Sequence, residues 1–138
     1  MELRDAGARR WLLLDKSALA RSGRLDPALG SPCLCAITRL EMLYSARSAD
    51  AYEQLETELD VFHELSIDAE TIAIARTAQR ELAAQAHHRV PIPDLLIAAC
   101  AQQHQAALLH LDRHYDVLAR VLAFTPLRLE PRSPAVGG

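Results

Sequence analysis

Apolar residues along this chain fall into short unbroken runs, separated by turns and by longer stretches of helical periodicity. Trp11-Leu12-Leu13-Leu14 shows no polar alternation, so it reads as a strand buried on both faces, and it ends in an acid, Asp15. A helix is expected from Ser17 to Arg21, with Ser17 as its cap, and Asp26-Pro27 and Gly30-Ser31-Pro32 read as turns. Cys33 to Ala36 suits a second strand; Thr38 to Ser48 and Asp50 to Asp60 suit two helices. A third strand is expected within Val61 to Ile67. Asp68 then caps a long helix to about Ala86, with Ile72, Ala75, Gln79, Leu82 and Ala86 along one face. Val90-Pro91-Ile92-Pro93 is extended, and Pro93 suits the first turn of the next helix. Ala106 to Leu111 reads as a fourth strand. Tyr115, Leu118, Ala119 and Leu122 form one face of the following helix, and Leu127 to Glu130 reads as a fifth, edge strand. Short strands alternating with helices predict an α/β domain with a mainly parallel sheet of four to five strands. Residues 1–10 form a polar leader, 11–130 the fold and 131–138 a Pro/Gly-rich flexible tail.

Four acids stand out against this pattern. Asp15 closes the first strand, Asp94 opens the apolar helix Leu95-Leu96-Ile97-Ala98-Ala99, and Asp112 follows the fourth strand. Glu41 shares the i, i+3, i+4, i+7 stripe of Ile37, Leu40 and Tyr44, which points it toward the core side. Each has a plainer reading: a helix cap for Asp15 and Asp112, a favourable helix start for Asp94, and a salt bridge to Arg39, Arg47 or a more distant arginine for Glu41. Taken jointly, carboxylates at strand ends and helix starts of a parallel sheet converge at its C-terminal edge, and converging carboxylates call for a hard cation, Mg²⁺ or Mn²⁺. Asp116, one turn beyond Asp112, is an outer candidate.

Composition narrows the function. The 138 residues suffice for one domain with a core; only 4% are aromatic, so that core is aliphatic. A formal charge of −3 argues against a protein held on nucleic acid by bulk charge, although four metal-bound carboxylates would leave the remainder slightly basic. Cys33, Cys35 and Cys100, an odd number, read as reduced and buried thiols of a cytoplasmic protein, in preference to a soft metal site. No run suits a signal peptide or a transmembrane span. His87-His88 reads as a solvated loop pair, and His104 and His110 as surface residues of a helix and a strand.

Four blocks of the chain together resemble PIN-domain ribonucleases, and within them the VapC toxins of type II toxin–antitoxin systems. They are Leu12 to Leu19, Ile37 to Tyr44, Ile92 to Ala99 and Leu111 to Asp116. The match is collinear from Trp11 to about Glu130. The resemblance implies a parallel sheet flanked by helices, a catalytic metal site of Asp15, Glu41, Asp94 and Asp112 around one or two Mg²⁺ or Mn²⁺ ions, a small VapB-like antitoxin and a homodimer. Two positions depart from the family pattern. Lys16 stands where Thr or Asn is usual, adding a positive charge, and His114 stands where a second acid is frequent, removing a possible ligand. In the implied mechanism a cation on Asp15 and Asp94 activates a water, while Glu41 and Asp112 complete or orient the site. Ser17 and Lys16 position water or phosphate, and Arg39, Arg47, Arg89 and Arg113 are rim candidates for RNA. Leu40, Leu43 and Leu55 are candidates to line an antitoxin groove. No additional organic cofactor is implied. The competing classes fit less well. A haloacid-dehalogenase phosphatase needs a second acid at Ser17, and a phosphoreceiver domain needs adjacent acids after the first strand. A lapsed PIN-like domain that binds an antitoxin without cleaving RNA is the alternative, and metal binding separates it from the enzyme.

Overall fold

A computed structural model of the protein describes residues 10–21, 25–86 and 89–129. The expected leader and tail, and the His87-His88 pair, lie outside the described residues, apart from Arg10. The strands are β1 (Trp11–Leu14), β2 (Ser31–Cys35), β3 (His63–Leu65), β4 (Ala107–His110) and β5 (Thr125–Arg128). The helices are α1 (Lys16–Leu19), α2 (Ala36–Tyr44), α3 (Ala49–Leu59), α4 (Ala69–Ala84), α5 (Ile92–Gln103) and α6 (His114–Leu118). All strands pair in parallel, in the order β3-β2-β1-β4-β5.

The leucine run explains why β1 is central. Leu13 faces a core layer shared with Cys33, Leu108 and the buried sides of α4, α5 and α6. Leu12 and Leu14 face the opposite layer, with Leu34, Leu109, Leu43 and Leu59. A strand covered on both faces needs no polar alternation, and β1 has none. The three cysteines are free and buried, and all belong to the first layer. Gly30 leads into β2 at φ 145°, and a Cβ there would lie 2.7 Å from the Arg10 carbonyl oxygen.

Several expectations need correction. Helix α1 is capped by Asp15 and not by Ser17: the Ala18 N–H donates to Asp15 Oδ1 at 2.9 Å. The buried stripe of α4 is Thr71, Ala75, Ala78 and Leu82, whereas Ile72 and Ala86 are exposed and Gln79 faces away from the core. The capping box of Asp68 and Thr71 fixes that rotation, since Gln103 of α5 also donates to Asp68 at 2.9 Å and holds the helix start against its neighbour. Strand β5 begins two residues earlier than expected because Pro126 sits within it, opposite Leu108, at the sheet edge where a missing N–H is tolerated. His110 is fully buried, because β4 lies between two strands and Tyr115 covers the ring at 4.8 Å.

Candidate metal centre

The chain builds β1, β2 and β3 outward in one direction, then returns to place β4 on the other side of β1. The order therefore reverses between β1 and β4, and a crevice opens at their C-terminal ends, where α/β sheets gather ligands. Asp15 leaves β1 there, and its N–H donates to the Leu109 carbonyl of β4 at 3.2 Å. Its carboxylate is nearly buried and also accepts from Ser17 Oγ at 2.8 Å. Ser17 thus holds the Asp15 carboxylate.

Asp112 follows β4 by one residue's gap. Its N–H donates to His110 Nδ1 at 3.2 Å, and its Oδ1 accepts from the His114 N–H at 2.9 Å. His110 Nε2 has no hydrogen-bond partner among the described residues, so the ring's contribution is packing on Tyr115 and holding the Asp112 backbone. Asp94 comes from the first turn of α5. Its Oδ2 lies 2.8 Å from His114 Nδ1, and its Oδ1 accepts from the Tyr115 hydroxyl at 3.4 Å. Oxygens of Asp94 and Asp112 and a ring nitrogen of His114 all lie within 4.8 Å of one another. His114 removes an acid from the fourth block, but supplies a nitrogen in its place.

Glu41 lies mid-way along α2. The apolar stripe expected to meet the core faces a cleft: Thr38 and Leu43 are the buried residues of α2, while Leu40 is 60% and Tyr44 90% exposed. Lys16, Ile37, Leu40, Glu41, Tyr44 and Pro93 line that open cleft of about 470 Å³. Helical periodicity marks an apolar face, and it cannot tell a face that meets the core from one that walls a groove. Of the expected groove leucines only Leu40 lines it; Leu43 is buried and Leu55 packs partly against the core.

Electrostatics ties the acids together. Burial raises the Asp94 pKa; the His114 hydrogen bond opposes this, and the charges of Asp112 and Asp15 add to it. Burial also raises Glu41, with Lys16 opposing and Asp94 and Asp15 adding. Tyr115 is pushed well up by burial and then by the same carboxylates, so it stays a neutral donor. A set of carboxylate oxygens and one imidazole nitrogen, converging and mutually repelling, fits a small divalent cation.

The remaining candidates lie elsewhere. Asp116 is exposed and pairs with Arg128 at 3.3 Å. Arg39 is not a free rim cation: it bonds Glu64 at 2.8 Å and Asp60 at 3.0 Å, joining α2 to β3 and to the end of α3, and it does not meet Glu41 in a salt bridge. Arg47, Arg89 and Arg113 are exposed, and His104 Nε2 meets the Ser66 carbonyl oxygen at 2.9 Å. The roles of His114, Tyr115 and His110 at the site were not expected from the sequence; the available signal was their spacing around Asp112, at the strand-to-helix turn.

Comparison with known proteins places this arrangement. The PIN domain family model matches residues 5–121. Ribonuclease VapC17 of Mycobacterium tuberculosis is 41% identical over 116 residues, covering 79% of this chain and 87% of the relative. The chain belongs to the VapC family of PIN-domain proteins. VapC2 of the same organism is 34% identical over 140 residues, covering 91% of this chain and 96% of the relative. The structure of VapBC-5, a member of the VapBC family of toxin–antitoxin systems from M. tuberculosis, shares the VapC fold seen here. It superposes with TM-score 0.67 at 23% identity, covering 87% of this chain and 99% of that chain.

Proposed function

We propose that this protein is the toxin of a type II toxin–antitoxin pair, a divalent-metal-dependent ribonuclease that hydrolyses RNA phosphodiester bonds. One observation carries the reading: acids from separate segments meet at the sheet's switch point, in a chain 41% identical to a VapC ribonuclease. Asp15, Asp94 and Asp112 are the proposed ligands, with Glu41 on the cleft wall as a further ligand or an orienting base. A bound Mg²⁺ or Mn²⁺ supplies charge neutralisation at the phosphate and a more acidic water. Around it the protein does the positioning. Ser17 holds Asp15, the Tyr115 hydroxyl holds Asp94, and the His114 N–H holds Asp112. Lys16, exposed on the cleft wall, is placed to steady a phosphate oxygen, and Arg113 and Arg89 are the rim cations for RNA. Preorganised charge and orientation then carry the rate, because phosphoryl transfer needs little covalent help.

The partner in this reading is a small VapB-like antitoxin that lays an apolar segment against Leu40 and Tyr44 and sets a basic side chain among the acids. The active form is a homodimer, and the work is done in the cytoplasm, where RNA is available. No helix among the described residues is long and apolar enough to cross a membrane. The test is cleavage of an RNA panel by the metal-free protein after adding Mg²⁺ or Mn²⁺, with products read by mass spectrometry. Hydrolysis by water leaves a 5′-phosphate and a 3′-hydroxyl. A 2′,3′-cyclic phosphate, or full cleavage in excess EDTA, rejects the mechanism.

A further inference from the structure

Carboxylates alone would make this an all-oxygen centre, yet the structure puts a ring nitrogen between two of them. We propose that His114 is a direct ligand of the cation through Nδ1, which makes the centre a mixed oxygen–nitrogen site with a raised preference for Mn²⁺ over Mg²⁺. The proposal rests on the reading above that these carboxylates hold a divalent cation.

His114 Nδ1 lies 2.8 Å from Asp94 Oδ2 and 3.0 Å from Asp112 Oδ1. Adjacent ligands in an octahedral shell with bonds of about 2.0–2.1 Å are roughly 2.9 Å apart. The same spacing serves a hydrogen bond, but a neutral ring with its proton on Nδ1 has one hydrogen for two carboxylates. One carboxylate then gets no hydrogen from the ring. Although Asp112 accepts from the His114 N–H and Asp94 from the Tyr115 hydroxyl, the two like charges still act on each other, a repulsion that a cation resolves.

The imidazole is also held in place by its surroundings. The His114 backbone N–H donates to Asp112 Oδ1, the Asp112 N–H is held by His110, and Asp94 is held from its other oxygen by Tyr115. Asp94 and the Asp112 backbone thus have supports from outside the three groups, as good metal sites require, and the His114 backbone is tied to Asp112. Binding through Nδ1 moves its proton to Nε2, and the ring is 43% exposed, so that nitrogen can donate to water. Imidazole nitrogen suits first-row transition ions, whereas Mg²⁺ favours oxygen and water, so the exchange of an acid for His114 shifts selectivity toward Mn²⁺.

The experiment uses the full chain, stripped with EDTA and dialysed, and titrated with Mn²⁺ alone. Pulsed electron paramagnetic resonance of the bound Mn²⁺ should show nitrogen modulation in the wild type and none in His114→Ala. Calorimetry should show Mn²⁺ affinity falling about tenfold or more in His114→Ala, and Mg²⁺ affinity by less than about threefold. His114→Asp restores an all-oxygen set and should lower the Mn²⁺ to Mg²⁺ preference; it carries the comparison if the alanine variant does not fold. Absence of nitrogen modulation in the wild type overturns the proposal, as does tighter Mn²⁺ binding by His114→Ala, which would make the ring a plug in the cation's place. Mn²⁺-stimulated RNA cleavage without nitrogen modulation rejects His114 as ligand and leaves the nuclease reading standing. Failure of the wild type to bind Mn²⁺ rejects both.

Discussion

Asp94→Asn should make the metal-free protein more stable at neutral pH while removing its response to metal. The Asp94 carboxyl is held above its ordinary value of 3.8, first by burial and then by the charges of Asp112 and Asp15, with His114 opposing. The sign follows from proton linkage. A carboxyl that binds its proton more tightly in the folded state contributes stability that is complete below its unfolded pKa. That contribution is lost as pH rises through the raised folded value, so at neutral pH the ionised group is a net cost. A tenfold difference in proton affinity between the folded and unfolded chain corresponds to about 1.4 kcal/mol. The side chain is only 17% exposed, so screening is modest, but the His114 contact offsets part of the cost. A net gain of about 1 kcal/mol is expected for asparagine, which still accepts from the Tyr115 hydroxyl and the His114 ring. In a domain of this size that raises Tm by roughly 3–5 °C. Thermal melts in EDTA at about pH 5 and about pH 7.5 test it, with the variant's advantage larger at the higher pH. Adding Mn²⁺ to about 100-fold over its Kd should then stabilise the wild type by about 2.7 kcal/mol and the variant far less. A variant that melts below wild type in EDTA at neutral pH would refute the electrostatic account. An equal response to Mn²⁺ would remove Asp94 from the metal site.

Two further substitutions separate folding roles from chemistry. Asp15→Asn keeps a good cap on α1, so stability should stay within about 0.5 kcal/mol while RNA cleavage falls by about 100-fold or more; Asp15→Ala should lose the cleavage and a further ~1 kcal/mol of stability. Urea melts and a fluorescent RNA assay read both, and an active asparagine variant would assign Asp15 to capping alone. Arg39→Ala should cost about 1 kcal/mol by releasing Asp60 and Glu64, without changing the salt dependence of RNA binding, and a flatter salt slope would return Arg39 to the RNA surface.

The fold was legible wherever burial is two-sided. Leu12 to Leu14 and Ala107 to Leu109 have no polar alternation because both faces are covered, and acids just beyond such strands mark the sheet's C-terminal edge. What sequence could not reveal was direction. Glu41 shares a stripe with Ile37, Leu40 and Tyr44, but that stripe walls a cleft, and periodicity is the same whether the facing space is filled or open. Arg39 looked free because its partners, Asp60 and Glu64, are far away in sequence and arrive only through the β2–β3 pairing. His110 looked like a surface residue because its burial depends on Tyr115 folding back from α6. His114 looked like the loss of a ligand, since only the turn after β4 brings its ring to Asp94.

The same geometry dissolves a choice that the sequence alone leaves open, between acids that cap helices and acids that bind a ligand. Asp15 accepts from the Ala18 N–H and from Ser17, Asp112 accepts from the His114 N–H, and Asp94 sits in the first turn of α5. Each of these acids is stabilised by backbone dipoles or donors of its own element, worth about 0.3–1 kcal/mol apiece, which offsets part of the repulsion among them before any cation arrives. Local donors and dipoles, a true helix cap only at Asp15, are therefore the means by which the fold keeps like charges together, and they leave other carboxylate lone pairs for a ligand. Glu41 has no such support. It lies in the middle of α2 with Lys16 as its compensating charge, half-buried on the wall of an apolar cleft. An acid held there without a structural task is best explained by what enters the cleft, and a cation or the basic side chain of a partner are the two groups whose charge would suit it.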